Sequence, residues 1–324
     1  MKNERRFDAT KLLAPVFLVV LYAFFSVVGK NFFSTDYLVA ILDGSYYIGF
    51  MAIGVTFVII TAGIDLSLGT NMMCAALLGG FAYNVLQWPM LWCLVLVILT
   101  GTALGSINGI MVAYLKLPPF IATLGMMMMG MGFGAIVTNV QTMRYPTFGS
   151  AGSEFKTLFY KTTDGFPLGA LWLAGFFVIA AVLLNKTKFG RYTFAIGSNS
   201  EAARLSGIKT RPWQAAVYTF CGFCSGLAGV MYAAVYTSII PSTGNGQELL
   251  GIAGAVIGGT SLMGGTGTLV GTIIGVFIMS VLKQGLMSMG LQGHWQTFFT
   301  GLVVVLAVLL DQWRVKQGNR IRKV

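Results

Sequence analysis

Two acidic residues of this chain stand inside apolar sequence. Asp65 lies in Ala62-Gly-Ile-Asp-Leu-Ser-Leu-Gly69, and Glu248 opens Glu248-Leu-Leu250. A carboxylate in such surroundings is costly unless it is paired or solvated. Ser67, Asn71, Asn108 and Thr123 place polar groups on the adjoining apolar runs. With Asp65 and Glu248 they are the candidates for a polar path. Asp65 has two readings. Gly63 can break a helix, and Ser67 or Asp65 can then cap the next one at the cytoplasmic edge. Alternatively, the broken helix stands beside a transport path.

Catalytic patterns are missing. There is no G-x-x-x-x-G-K-[ST], so the chain has no P-loop for ATP, and no H-E-x-x-H. Gly130-x-Gly132-x-x-Ala135 mimics a dinucleotide loop without the strand–helix–strand unit that would give it meaning. Cys221 and Cys224 form a C-x-x-C, but CGFCSGLAG reads as a small-residue packing face. The run Met126 to Met129 reads as helix packing. His294, the single histidine, stands beside Trp295 and reads as an interfacial anchor. The chain is therefore expected to be no enzyme and to hold no metal.

The elements that must position these residues are membrane helices. From Leu66 to Leu115 there is no Asp, Glu, Lys or Arg. That run is more than twice the roughly 20 residues a spanning helix needs. Further uncharged runs cover most of the chain. Hydrophobic residues make up 56% and charged residues 10%, against about 25% charged in soluble domains. Spans are expected near 12–29, 39–61, 67–87, 90–115, 119–139, 168–185, 212–236, 249–260, 268–289 and 294–311. The eighth is short, and Lys283 falls inside the ninth. The fold class is all-α: one polytopic membrane domain, 1–324, of about ten transmembrane helices. The apolar run after MKNERRFDATK has no signal-peptidase pattern and is expected to stay as the first helix.

Charge sets the orientation. With the N-terminus in the cytoplasm, sixteen of the 21 Lys and Arg fall on inside segments and four outside. The bias places both termini inside, with an even number of spans. The net charge of +11 thus marks membrane edges and not a nucleic-acid partner. Two loops are long: 140–167 outside, and 186–211 inside and basic. Within the second, Asn199 or Ser200 can cap a short helix over Glu201 to Leu205, with Gly207 as its stop.

A shift of 166 residues aligns Gly101-Thr-Ala-Leu-Gly-Ser-Ile-Asn-Gly109 with Gly267-Thr-Leu-Val-Gly-Thr-Ile-Ile-Gly275. Five of the nine positions are identical. Glycines at every fourth residue permit close helix approach. The copies lie five spans apart and so run in opposite directions, the pattern of an inverted repeat.

Four segments carry a family resemblance: GIDLS (63–67), LPPFIATLG (117–125), TKFGRYTFAIGSNSEAARLSGI (187–208) and IGGTSLMGGTGTLVGT (257–272). In these the chain resembles the membrane permease of bacterial ABC importers for ribose, galactose, xylose and related sugars. The resemblance implies a multi-pass inner-membrane subunit that translocates a monosaccharide. It implies a cytoplasmic ATPase partner that binds ATP and Mg, a periplasmic sugar-binding protein, and a second permease copy or a paralogous permease. It implies no cofactor in this chain. Asn199, Glu201, Arg204, Leu205, Ser206, Gly207 and Ile208 correspond to the coupling helix that docks on the ATPase. There Leu205 and Ile208 are expected to face an apolar groove, with Glu201 and Arg204 pairing at its rim. Two departures stand out. Leu250 replaces the acid of the family's E-L-D, and Gly197-Ser-Asn199 replaces its G-G-N. Alternatives are a nucleoside, autoinducer or branched-chain amino acid permease of the same type, or an ion-coupled secondary transporter.

Overall fold

The computed structural model describes residues 12–241 and 243–321. Lys2, Arg5, Arg6, Lys11, Arg322 and Lys323, which carry part of the orientation argument, lie outside the described residues. The helices are α1 (Leu13–Val28), α2 (Thr35–Ile60), α3 (Leu68–Asn84), α4 (Met90–Ala113), α5 (Pro119–Val137), α6 (Glu154–Phe159), α7 (Leu168–Lys186), α8 (Lys188–Ser198), α9 (Ser200–Leu205), α10 (Thr210–Tyr236), α11 (Gln247–Ile257), α12 (Leu269–Ser288) and α13 (Gly293–Ile321). Two short strands, β1 (Met143–Arg144) and β2 (Ser238–Ile239), pair antiparallel. They tie the 140–167 loop to the end of α10.

Among the described residues, α2, α4, α5, α7, α10 and α12 are long and apolar enough to cross a membrane. This is a polytopic membrane protein. The eighth expected span, already short in the sequence, corresponds to α11. α11 has only 11 residues, or about 16 Å at 1.5 Å per residue. It covers roughly half of a 30 Å hydrocarbon layer.

Local signals explain the boundaries. The Ser34 hydroxyl caps α2 by accepting from Tyr37 N at 3.4 Å. Pro119 starts α5, where its missing N–H is no loss. Thr268 caps α12 through Gly271 N at 3.2 Å. The 186–211 segment is more helical than expected. Besides α9 it holds α8, capped by Thr187 through Phe189 N at 3.1 Å.

α2 is buried without a break from Gly44 to Ile60 and forms the centre with α10. A helix that is apolar all round belongs inside a bundle. Glycines set the closest approaches. A methyl group on Gly105 would lie 2.6 Å from both Gly222 Cα and Tyr218 O on α10. One on Gly275 would lie 2.9 Å from Gly254 Cα on α11, and one on Gly271 would run into Gly258 O. Gly101, Gly105 and Gly109 therefore face α10, whereas Gly271 and Gly275 face α11 and its C-cap and Gly267 meets Ile60 and Thr260. Cys221 and Cys224 are buried free thiols packed against Gly54, in keeping with a packing face.

Candidate functional site

α2 stops at Ile60, and the chain turns through Ala62, whose φ is +59°. Gly63 follows because Tyr218 OH occupies the space of a side chain, 2.6 Å from where a Cβ would be. Tyr218 OH donates to Ile64 O at 3.3 Å. The chain then folds back into the bundle, and Asp65 is only 1% exposed. Its neighbours place it well inside. Asn108 lies more than one turn before the end of α4. Tyr218, whose hydroxyl donates to the neighbouring Ile64 O, stands eight residues into α10, about 12 Å along that helix.

Four of the six path candidates form one hydrogen-bonded cluster. Asp65 Oδ1 accepts from Ser67 N at 2.9 Å and from Ser67 Oγ at 2.6 Å. Ser67 Oγ in turn accepts from Asn71 Nδ2 and Asn108 Nδ2, both at 2.8 Å. Asn108 Nδ2 also reaches Asp65 Oδ1 at 3.4 Å. All four residues are buried, and no cation pairs with Asp65 among the described residues. Asn71 Oδ1 and Asn108 Oδ1 are left without partners. Unpaired buried acceptors are costly and mark places where a donor is expected.

This geometry serves both readings of Asp65. The Ser67 hydroxyl does not cap α3, whereas Asp65 Oδ1 takes the Ser67 N–H just before the helix. The Asp65 and Ser67 oxygens are engaged with each other and with α4.

Glu248 joins from the opposite direction. Its carboxylate accepts from Gly246 N at 2.9 and 3.1 Å. A methyl group on Gly69 would stand 2.7 Å from Glu248 Oε2, and one on Gly244 would stand 2.6 Å from Gly69 O. The starts of α3 and α11 thus meet through two glycines inside the bundle. Thr123 is apart from this cluster. It is buried on α5 and donates to Pro119 O of its own helix at 2.8 Å. Tyr218 and the Gly69–Gly244 contact were not found from the sequence, which gave Gly63 only as a helix breaker. Their roles depend on distant segments, and no local pattern signals them.

An asparagine at position 65 keeps an acceptor for Ser67 N and Oγ. Asp65→Asn is therefore expected to insert at wild-type levels yet reduce uptake about tenfold, because hydrogen bonds to a charged group are the stronger ones. Normal uptake in membranes holding equal amounts of protein would remove the charge from the path.

The 186–211 segment forms a second constellation. Asn199 Oδ1 caps α9 by accepting from Ala202 N at 2.9 Å. Gly207, at φ +85°, ends it, and Ile208 N donates to Ala203 O at 3.1 Å. Leu205 is 75% exposed, Ser206 is also exposed, and Ile208 is half-buried. Glu201 and Arg204 form a two-pronged ion pair with one another. The Arg204 guanidinium holds the Glu201 carboxyl below its ordinary range.

This segment is wired to the bundle. Gly197, at the end of α8, packs against Ile60 O and Gly265 N, and Gly265 N donates to Ile60 O at 2.8 Å. The loop between α11 and α12, which carries Gly265, is also held to α13, where Asp311 Oδ2 accepts from Ser261 Oγ and Leu262 N, each at 3.1 Å. Ile60 is the last residue of α2 before the turn to Asp65.

Polar groups gathered inside a many-helix apolar bundle, with an exposed helical segment at one end, are the architecture of a multi-pass membrane permease. A family model described as branched-chain amino acid transport system / permease component matches residues 37–308, and the chain belongs to that family. It is a transporter subunit and not an enzyme. It is 37% identical over 307 residues to the ribose import permease of Escherichia coli K12, covering 91% of each chain. The ribose import permease of Bacillus subtilis is 38% identical over 297 residues, covering 91% of this chain and 90% of that one. The fructose import permease of Rhizobium meliloti is 32% identical over 302 residues, covering 92% of this chain and 84% of that one. No solved structure matches.

Proposed function

We propose that this chain is the transmembrane subunit of a binding-protein-dependent importer that carries a monosaccharide across the bacterial inner membrane. Similarity to ribose and fructose import permeases along most of each chain carries this reading. The energy comes from a cytoplasmic ATPase that holds ATP and Mg. A periplasmic sugar-binding protein delivers the substrate, and a second permease, identical or paralogous, completes the path.

The ten-span domain with both termini inside is part of the proposal. α3 and α11 are then broken elements whose starts meet within the membrane, where transporters place their binding groups. Helix packing supports the inverted repeat. α3 packs on α4, α5 and α10, as α11 packs on α12, α13 and α2. α4 packs on α10, as α12 packs on α2.

In this reading Asp65, Ser67, Asn71, Asn108 and Glu248 line or brace the path, and Thr123 stands at its border. α9 docks on the ATPase through Leu205 and Ile208, with Glu201 and Arg204 at the rim. Movement of α9 reaches the path by two routes. One runs through Gly197 to Ile60 and the turn before Asp65. The other runs through Thr210 along α10, which carries Tyr218 and Cys221. Closure of the ATPase subunits then biases the bundle between two arrangements.

The test is uptake of labelled ribose and fructose by the complete importer in proteoliposomes, with binding protein present and ATP enclosed with the ATPase. ATP-dependent accumulation of at least one sugar is expected. Accumulation driven by an ion gradient without ATP would sink the reading.

A further inference from the structure

Lys283 is a charged side chain on α12, one of the helices long and apolar enough to span a membrane. It makes no ion pair among the described residues. Its Nζ instead donates to Tyr47 OH on α2 at 3.2 Å and lies 5.9 Å from the centre of that ring. Tyr47 is fully buried, and its hydroxyl donates to Gln247 Oε1, at the start of α11, at 3.1 Å. Two more tyrosines complete the group from α10. Tyr232 meets Tyr47 edge-on at 5.2 Å, and Tyr236 stacks on Tyr232 at 4.5 Å with 38° between the planes. Tyr236 is the last residue of α10 and is 39% exposed.

We propose that Tyr47, Tyr232, Tyr236, Gln247 and Lys283 form an outer recognition site that first holds a neutral monosaccharide on its way to the Asp65 cluster. This rests on the sugar-import reading above. An ionisable residue within a membrane helix is retained where it meets substrate or a polar path. The ammonium has three donors, of which Tyr47 takes one. The Gln247 amide group adds two more. Sugar hydroxyls accept from such donors. The C–H face of a sugar ring carries slight positive charge and suits the electron-rich face of Tyr236. A simple anion has no use for the stacked rings, and an acyl chain has none for the ammonium and amide. The site also leads inward. Gln247 is followed by Glu248, which meets Gly69 two residues after Ser67 of the inner cluster.

The experiment uses the complete importer, with ribose and fructose as probes. Tyr236→Ala and Lys283→Met are expected to lower uptake at limiting sugar about tenfold each, the effect of one strong contact. They are also expected to change the ratio of the two uptake rates. Lys283→Arg and Tyr236→Trp should keep most of the wild-type rate, and ATP hydrolysis without sugar should be unaltered. Wild-type rates and ratios in both disruptive variants would overturn the outer site while leaving sugar import intact. A wild-type importer that carries neither sugar defeats the parent reading instead.

Should the disruptive variants fail to fold, the Tyr236→Trp permease gives an independent readout. Its fluorescence, taken as the difference from the parent protein, should change saturably with ribose or fructose. A flat response to both sugars, or a response to phosphate or anionic vesicles alone, overturns the proposal.

Discussion

Gly105→Leu and Gly271→Leu permeases are expected to be missing from the membrane as assembled protein. Each substitution adds an isobutyl group where two helix backbones touch. At Gly105 the first carbon already meets Gly222 Cα and Tyr218 O at 2.6 Å. At Gly271 it meets the Gly258 carbonyl and Thr268 Oγ1, the latter at 2.9 Å. Backbone cannot rotate aside as a side chain can. The effect should therefore reach or exceed the roughly 1–3 kcal/mol usual for overpacking. Gly132→Leu is a suitable control, because nothing lies within 4 Å of that position. Membrane levels and uptake are the measurements. Wild-type values for Gly105→Leu would mean that α4 and α10 do not approach as described.

The second large effect is expected at Leu205. Leu205→Asp should insert normally and leave sugar binding by the periplasmic protein untouched, yet abolish sugar-stimulated ATP hydrolysis and uptake. Leu205 is an exposed apolar side chain on a capped six-residue helix. In a docked complex the new carboxylate would be buried without a partner, which costs several kcal/mol. Arg204→Glu should do less harm. Arg204 and Glu201 are solvent-exposed, so water and salt screen the change. The readout is ATP hydrolysis in proteoliposomes with and without loaded binding protein. Retained stimulation in Leu205→Asp would take the docking role away from α9.

Much of the fold was legible in the sequence because bilayers impose a length and a composition. Ends such as Pro119 and Thr268 follow from capping chemistry that acts within a few residues, whereas α2 starts at Thr35, four residues before the expected 39. The α9 segment was readable for the same reason, with Asn199 as cap and Gly207 as stop. The 188–198 stretch was not. Its basic residues read as a loop, and only burial of Gly190, Thr193 and Ile196 against the bundle makes α8 a helix with a purpose.

The sequence by itself determined that this is a many-helix membrane permease without an ATP-binding loop, and it singled out Asp65 and Glu248. The membrane reading needs only apolar run length and charge bias, and the permease reading rests on the family resemblance of four segments. The tertiary structure alone decided where the residues meet. It joined Asp65 and Ser67 to Asn71 and Asn108 in one buried cluster. It brought Glu248 to Gly69, left Thr123 aside, and gave Lys283 a tyrosine partner instead of a carboxylate. Asn108, Glu248 and Lys283 meet their partners from segments 41 to 236 residues away. Glycines at every fourth residue mark a close-packing face along the chain, but they do not name the helix that packs on it.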